Sequence, residues 1–224
     1  MQPTSKSLFD VLVAGGPLLW PIFAASVVML LVVIERFAAL RRKKVAPGPF
    51  VKCVLSQIEE GELDRDAALE LCEEDPSHIA RVFEAGIRRW GKPAVEVEQA
   101  ILDEGERTAN SLRSYLRLLN GVANVSPLLG LFGTVWGIMH SFDALSASAA
   151  TGRSELLAGG ISEALITTAA GLAVAIPAMV AYMFFVGRVD SLVMEIDRRG
   201  QQLVHLISAE ALSGSRMRRT KKAA

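Results

Sequence analysis

The chain has 224 residues, with 24 basic and 24 acidic side chains and therefore no formal net charge; 51% of its residues are apolar and 6% aromatic. A disordered chain would be polar and unbalanced in charge, and a nucleic-acid binder would carry a basic excess, so both classes are excluded. A mean hydropathy of +0.34 is high for a soluble domain and directs attention to long apolar runs.

The segment 1–17 carries a single basic residue, Lys6. It precedes the first apolar run, Leu18 to Ile34, which holds no charge over 17 residues and would be about 25 Å long as a helix. Arg36, Arg41, Arg42, Lys43 and Lys44 follow this run instead of preceding it, which is the reverse of a secretory signal. A retained transmembrane helix over 18–37 is therefore expected, with the N-terminus on the periplasmic side.

Segment 38–118 reads as helical almost throughout. Gly48-Pro49 marks a turn, Asp75-Pro76 a cap with proline at the first helical position, and Lys92-Pro93 another helix start. From Pro93 onward, Val97, Ile101, Leu102, Leu112, Leu116 and Leu119 fall on one helical face, and no strong breaker follows. One unbroken helix running into the second span is the expectation. Neither an internal repeat nor a glycine/serine linker is visible, and no separate soluble domain with its own core is expected. Cys53 and Cys72 are too few for a disulfide framework and read as two reduced, packed thiols.

The second span is expected over 119–142, with no formal charge, and the third over 160–186, where Glu163 is the sole charge. Pro127 and Pro177 fall within them, and membrane helices tolerate such prolines when neighbours satisfy the freed carbonyls. Between the spans, 143–159 reads as a periplasmic loop. After them, Val189, Leu192, Val193, Ile196, Leu203 and Ile207 line one face, so the third helix is expected to continue through a cytoplasmic segment, 187–224, that ends in a basic tail. Of the 24 basic residues, 22 lie in 35–118 and 187–224, so these segments are placed in the cytoplasm. The fold class is all-α: three spans with long cytoplasmic helical extensions.

No nucleophile elbow, phosphate-binding glycine loop or metal-ligand pair is present, and His78, His140 and His205 are scattered. The chain is read as a non-enzyme without metal or cofactor. Its chemistry is expected inside the spans. A charge at the centre of a membrane helix costs at least about 2.5 kcal/mol, so Glu163 faces a cavity, a partner or an ion path, unless it simply complements its helix N-terminus. Helical spacing places Thr167, Ala170, Gly171 and Val174 beside it, with Thr168 adjacent and Thr134 midway along the second span. Hydroxyls order water without adding charge, although many only bond their own helix carbonyls. Gly130, Gly133 and Gly137, together with Gly171 and the alanines of the third span, let helices approach closely. One three-span chain offers this pattern few partner helices, so a homo-oligomer is expected, with tight packing inside the single chain as the alternative.

Residues 125–142, VSPLLGLFGTVWGIMHSF, and 158–180, AGGISEALITTAAGLAVAIPAMV, closely resemble the MotA/TolQ/ExbB proton-channel family. The exit of the first span, Glu35 to Lys44, shares the likeness. The resemblance implies an ExbB-like inner-membrane subunit, five copies of which form a ring around the single helices of two copies of an ExbD-like partner. That partner's membrane aspartate carries the proton, and a TonB-like protein transmits the resulting motion for TonB-dependent transport across the outer membrane. The family's functional threonines match Thr134 and Thr168, and its glutamate matches Glu163. Thr167 stands where the family often has alanine, which leaves open which threonine faces the lumen. Pro177 and the glycines above would be packing positions. Two alternatives stand beside this reading: a TolQ-like subunit of the Tol-Pal envelope motor, and a scaffold that conducts nothing.

Overall fold

The computed structural model describes residues 16–147, 153–209 and 212–213. Most of the expected N-terminal segment, the middle of the 143–159 connection and the basic tail from Gly214 to Lys222 lie outside the described residues. Eight helices are present among the described residues: α1 (Leu19–Ala39), α2 (Arg42–Val45), α3 (Gly48–Glu60), α4 (Arg65–Glu74), α5 (His78–Ile87), α6 (Ala94–Arg113), α7 (Leu116–Ala147) and α8 (Arg153–Ile207). No strand occurs among these residues, and the fold is all-α. Three stretches, within Leu19–Ala39, Ala94–Asp143 and Ala158–Ile207, are long and apolar enough to cross a membrane.

The chain forms two compact units. Among the described residues, the span unit joins those before Arg36 with those from Tyr115 to Phe184; the extramembrane unit joins Arg36–Ser114 with those from Phe185 onward. In the span unit apolar side chains point outward: Leu30, Leu31, Ile34, Leu128, Leu131 and Val135 are all exposed. A contiguous apolar exterior suits lipid tails or a neighbouring chain.

The extramembrane unit corrects the expectation that no such core exists. Val45, Val54, Ile79, Val82, Phe83, Ile87, Val97, Leu203 and Ile207 are completely buried. Burying a side chain of this kind stabilises by about 1.5–3 kcal/mol. α5 packs on both α4 and α6, and α2 touches α5. The C-terminal part of α8 closes this core. The Gly91 amide donates to the Ile207 carbonyl at 2.9 Å, and the Ala209 amide donates to the Lys92 carbonyl at 2.9 Å. The Phe37 and Phe185 rings meet edge to face with centroids 5.0 Å apart. The buried Arg36 guanidinium donates to the Leu112 carbonyl at 2.8 Å. Val45, Val54, Ile79, Val82, Phe83 and Ile87 are spread over short helices whose faces the sequence does not single out, whereas Val97, Leu203 and Ile207 lie on the faces that spacing predicts.

Ion pairs fasten the rim. Arg113 meets Asp190 at 2.7 Å, and Arg42 meets Glu195 at 3.1 Å. Arg198 and Arg199 also reach Glu195. Desolvation opposes the charge on Glu195, but hydrogen bonds from Arg199 and Arg42 and the charges of Arg198 and Arg199 outweigh it and hold the carboxyl below its ordinary range.

Three local expectations are corrected by capping chemistry. Gly48-Pro49 is not a turn but the first turn of α3, where a proline loses no helical hydrogen bond. The cap of α5 is Ser77, whose hydroxyl accepts from the Ala80 amide, while Asp75 accepts from the Ser77 amide at 2.8 Å. The helix expected to run unbroken from Pro93 into the second span is interrupted at Ser114-Tyr115. There the Ser114 hydroxyl donates to the Ser111 carbonyl at 2.8 Å and competes with the backbone ladder, although Ser114 keeps right-handed helical dihedrals. Gly61 ends α3 with φ +76°, in the left-handed region that glycine adopts without strain.

Cys72 is buried as expected, but Cys53 is exposed and corrects the expectation that both thiols are packed. Burial, reinforced by the charges of Glu84, Asp75 and Glu73, pushes the Cys72 thiol from 9.0 up to about 12. A maleimide at pH 8 is therefore expected to label Cys53 alone until the protein is denatured. The neutral Cys72 thiol stabilises the fold fully below about pH 9, and this contribution is lost as pH rises toward 12. Melting temperatures across that window should fall more in wild type than in Cys72→Ala.

Candidate functional site

The second and third spans meet along two rows of small residues. On α7 the row is Ser126, Gly130, Gly133, Gly137 and Ser141; on α8 it is Gly160, Ala164, Thr167, Gly171, Ala175 and Ala178. Both rows advance by three or four residues, which keeps each on one helical face. Every member is buried except Gly160, which is half-buried.

Backbone approaches backbone along this seam. A Cβ added at Gly171 would lie 2.6 Å from the Ser126 carbonyl oxygen and 3.0 Å from the Gly130 Cα. One added at Gly130 would lie 3.0 Å from the Thr168 Cα, and one at Gly137 would lie 3.2 Å from the Ala164 Cβ. The space above Gly133 is filled by the Thr167 side chain, and the space above Gly160 by the Ser141 hydroxyl. Small residues drive association in lipid in this way, by packing and interhelical hydrogen bonds.

Three threonine hydroxyls sit on or beside the seam. The Thr168 hydroxyl crosses it and donates to the Gly130 carbonyl at 2.9 Å. Thr167, 1% exposed, donates to the Ala164 carbonyl at 2.8 Å. Thr134, half-buried, donates to the Leu131 carbonyl at 2.6 Å. Each threonine thus uses its proton on a carbonyl and keeps oxygen lone pairs free to accept. An acceptor of this kind can take a hydrogen bond from water, from a hydronium ion or from a protonated carboxyl.

Glu163 precedes Thr167 by one helical turn and is half-buried. Its carboxylate lies against Gly16, at a point where a side chain on residue 16 would not fit. Gly16 has φ +69°, and its carbonyl accepts from the Leu19 amide at 3.3 Å as α1 begins. Among the described residues no hydrogen bond or ion pair reaches the Glu163 carboxylate. Pro177 lies inside α8 and is exposed, off the seam.

The sequence reading passed over Ser126, Ser141, Gly160 and Gly16. The first three repeat the spacing of the glycines and were legible from it. Ser126 is also the one hydroxyl of the seam without a partner: its oxygen is fully buried and unbonded among the described residues. Gly16 carried no such signal, because its role depends on a contact distant in sequence.

A model of the MotA/TolQ/ExbB proton channel family matches residues 74–198, a stretch that includes α7 and the part of α8 carrying Glu163, Thr167 and Thr168. The chain belongs to this family. The Tol-Pal system protein TolQ of Pseudomonas aeruginosa is 36% identical over 182 residues, which cover 76% of this chain and 77% of that protein. TolQ of Haemophilus influenzae is 55% identical over 76 residues, 34% of this chain and 33% of that one. The biopolymer transport protein ExbB of Salmonella typhimurium is 42% identical over 90 residues, 38% of this chain and 36% of that one. Membership in the MotA/TolQ/ExbB family, together with three apolar helices, makes the chain a multi-pass protein of the inner membrane.

The seam yields a direct test. Gly171→Ala should lower the melting temperature of the detergent-solubilised protein, with a loss of about 1–3 kcal/mol, because the added methyl meets backbone rather than a yielding side chain. Gly159→Ala, with nothing within 4 Å of the new methyl, should leave the melting temperature unchanged or raise it.

Proposed function

We propose that this chain is the channel-forming subunit of an inner-membrane proton-driven transducer of the ExbB type. Several copies, five by family resemblance, surround an ExbD-like single-span partner. Proton flow moves that partner, and a TonB-like protein carries the motion to outer-membrane transport. The observation that carries this reading is the placement of Thr134, Thr167 and Thr168 along the seam of two apolar helices in a chain of this family. Each hydroxyl has its proton bound to a carbonyl and its lone pairs free.

In this mechanism Glu163 attracts the proton near the outer end of the third span. The threonine oxygens accept hydrogen bonds from water or from the partner's membrane aspartate as the proton passes. One proton crossing 100 mV releases about 2.3 kcal/mol, several times thermal energy and enough to bias a motion between packed helices. The excess of basic residues in 35–118 and 187–224 supports an N-terminus outside and a C-terminus inside.

A TolQ-like role in the Tol-Pal system is the second reading, favoured by the alignment with the Pseudomonas protein over 76% of this chain. Complementation separates the two. Restored siderophore uptake in a strain lacking its own ExbB supports the first, and restored detergent resistance in a strain lacking TolQ supports the second.

For either role, Glu163→Ala and Thr134→Ala should each abolish energised function while the complex still assembles and retains a single-span partner on purification. Normal function in both variants, or a silent Glu163→Gln, would leave only a non-conducting scaffold.

A further inference from the structure

A cleft of about 530 Å³ opens in the extramembrane unit beside the end of α1. Its wall includes Lys43, Lys44, Asp75, Ser77 and His78. Lys43 follows Ala39, the last residue of α1, by four positions, a reach of at most about 14 Å. It belongs to four consecutive basic residues, Arg41 to Lys44, and such a run just beyond a membrane span lies at the level of lipid headgroups.

The charges of the cleft do not cancel. Neither Lys43 nor Lys44 has an ion pair among the described residues, and both are exposed. Asp75 is the acid of the wall, and one of its oxygens is engaged by the Ser77 amide at 2.8 Å. His78 is half-buried, and desolvation, then Arg81 and Arg36, lower its pKa, so it contributes no charge at neutral pH while two further guanidiniums add positive potential. Two lysines against one aspartate leave the wall one positive charge in excess. A phosphodiester carries one negative charge, whereas free phosphate near neutral pH carries up to two.

We propose that this cleft seats the phosphodiester of an anionic phospholipid, with Lys43 and Lys44 as its cationic partners and Asp75 limiting its affinity. The assignment rests on α1 being a membrane span and is independent of the proton path.

Full-length protein in a neutral detergent would be exposed to equal amounts of phosphatidylglycerol and phosphatidylcholine, and the retained lipid read by native mass spectrometry. Phosphatidylglycerol should be retained in preference. Lys43→Gln with Lys44→Gln should weaken that retention about tenfold. The charge-matched pair Lys52→Gln with Lys92→Gln, outside the cleft, should leave it unchanged. Asp75→Asn should strengthen it about threefold, a gain that a misfolded protein could not give. Millimolar inorganic phosphate should not displace the lipid. Equal retention of both lipids, an unaffected cleft double variant, an equal loss in the control pair, no gain in Asp75→Asn, or displacement by inorganic phosphate would each overturn the proposal.

Discussion

Two helices in lipid have no hydrophobic reason to prefer each other over acyl chains, so the pairing of α7 with α8 rests on how closely their backbones can lie. The seam meets this condition with hydrogens where side chains would otherwise stand. Gly130 and Gly171 bring main chain against main chain, and Thr168 then reaches the Gly130 carbonyl directly. A hydrogen bond of this kind contributes about 0.6 kcal/mol on average, so the many packing contacts along the row must supply the rest. Because the seam is dense, the hydroxyls beside it are fixed in orientation. A threonine in a looser pair could rotate; here each proton has a defined carbonyl acceptor.

That arrangement takes away the argument that led from small residues to a homo-oligomer. Small residues on membrane helices are compatible with packing inside one chain or between copies. Here the glycines of α7 and α8 face each other within the chain, so they do not by themselves argue for an oligomer. The outward apolar surface, formed by Leu128, Leu131, Val135 and their neighbours, is the part of the span unit that remains for lipid or for other subunits.

The spans were legible because apolar runs report the bilayer directly, without reference to anything distant in the chain. Glu163 and the threonines stood out for the same reason: polar atoms in such runs are rare and therefore visible. The extramembrane core was legible only in part: the faces of α6 and α8 read from spacing are buried at Val97, Ile101, Leu112, Val189, Leu192, Ile196, Leu203 and Ile207, although Leu102 is exposed, whereas the shorter helices were not singled out. Its members belong to α2 to α6 and to the far end of α8, and short helices split by Pro47, Gly61 and Pro93 never show a continuous stripe. The ties that complete it, such as Arg36 to Leu112 and Arg113 to Asp190, join residues more than seventy positions apart. Local spacing holds no trace of such pairs. Caps were misplaced by one or two residues because Asp75, Pro76 and Ser77 are all plausible helix starters, and only the geometry decides among them.

Gly16 gives the acid of the third span a second point of control. Its left-handed backbone and bare Cα leave room for the Glu163 carboxylate as the first helix begins. The position of that negative charge is thus set from two places in the chain, one of them a glycine with no functional group of its own to advertise it. A genetic screen for loss of the glutamate's influence would return hits in two regions far apart in the sequence, and those beside the first span would be easy to dismiss as defects of insertion.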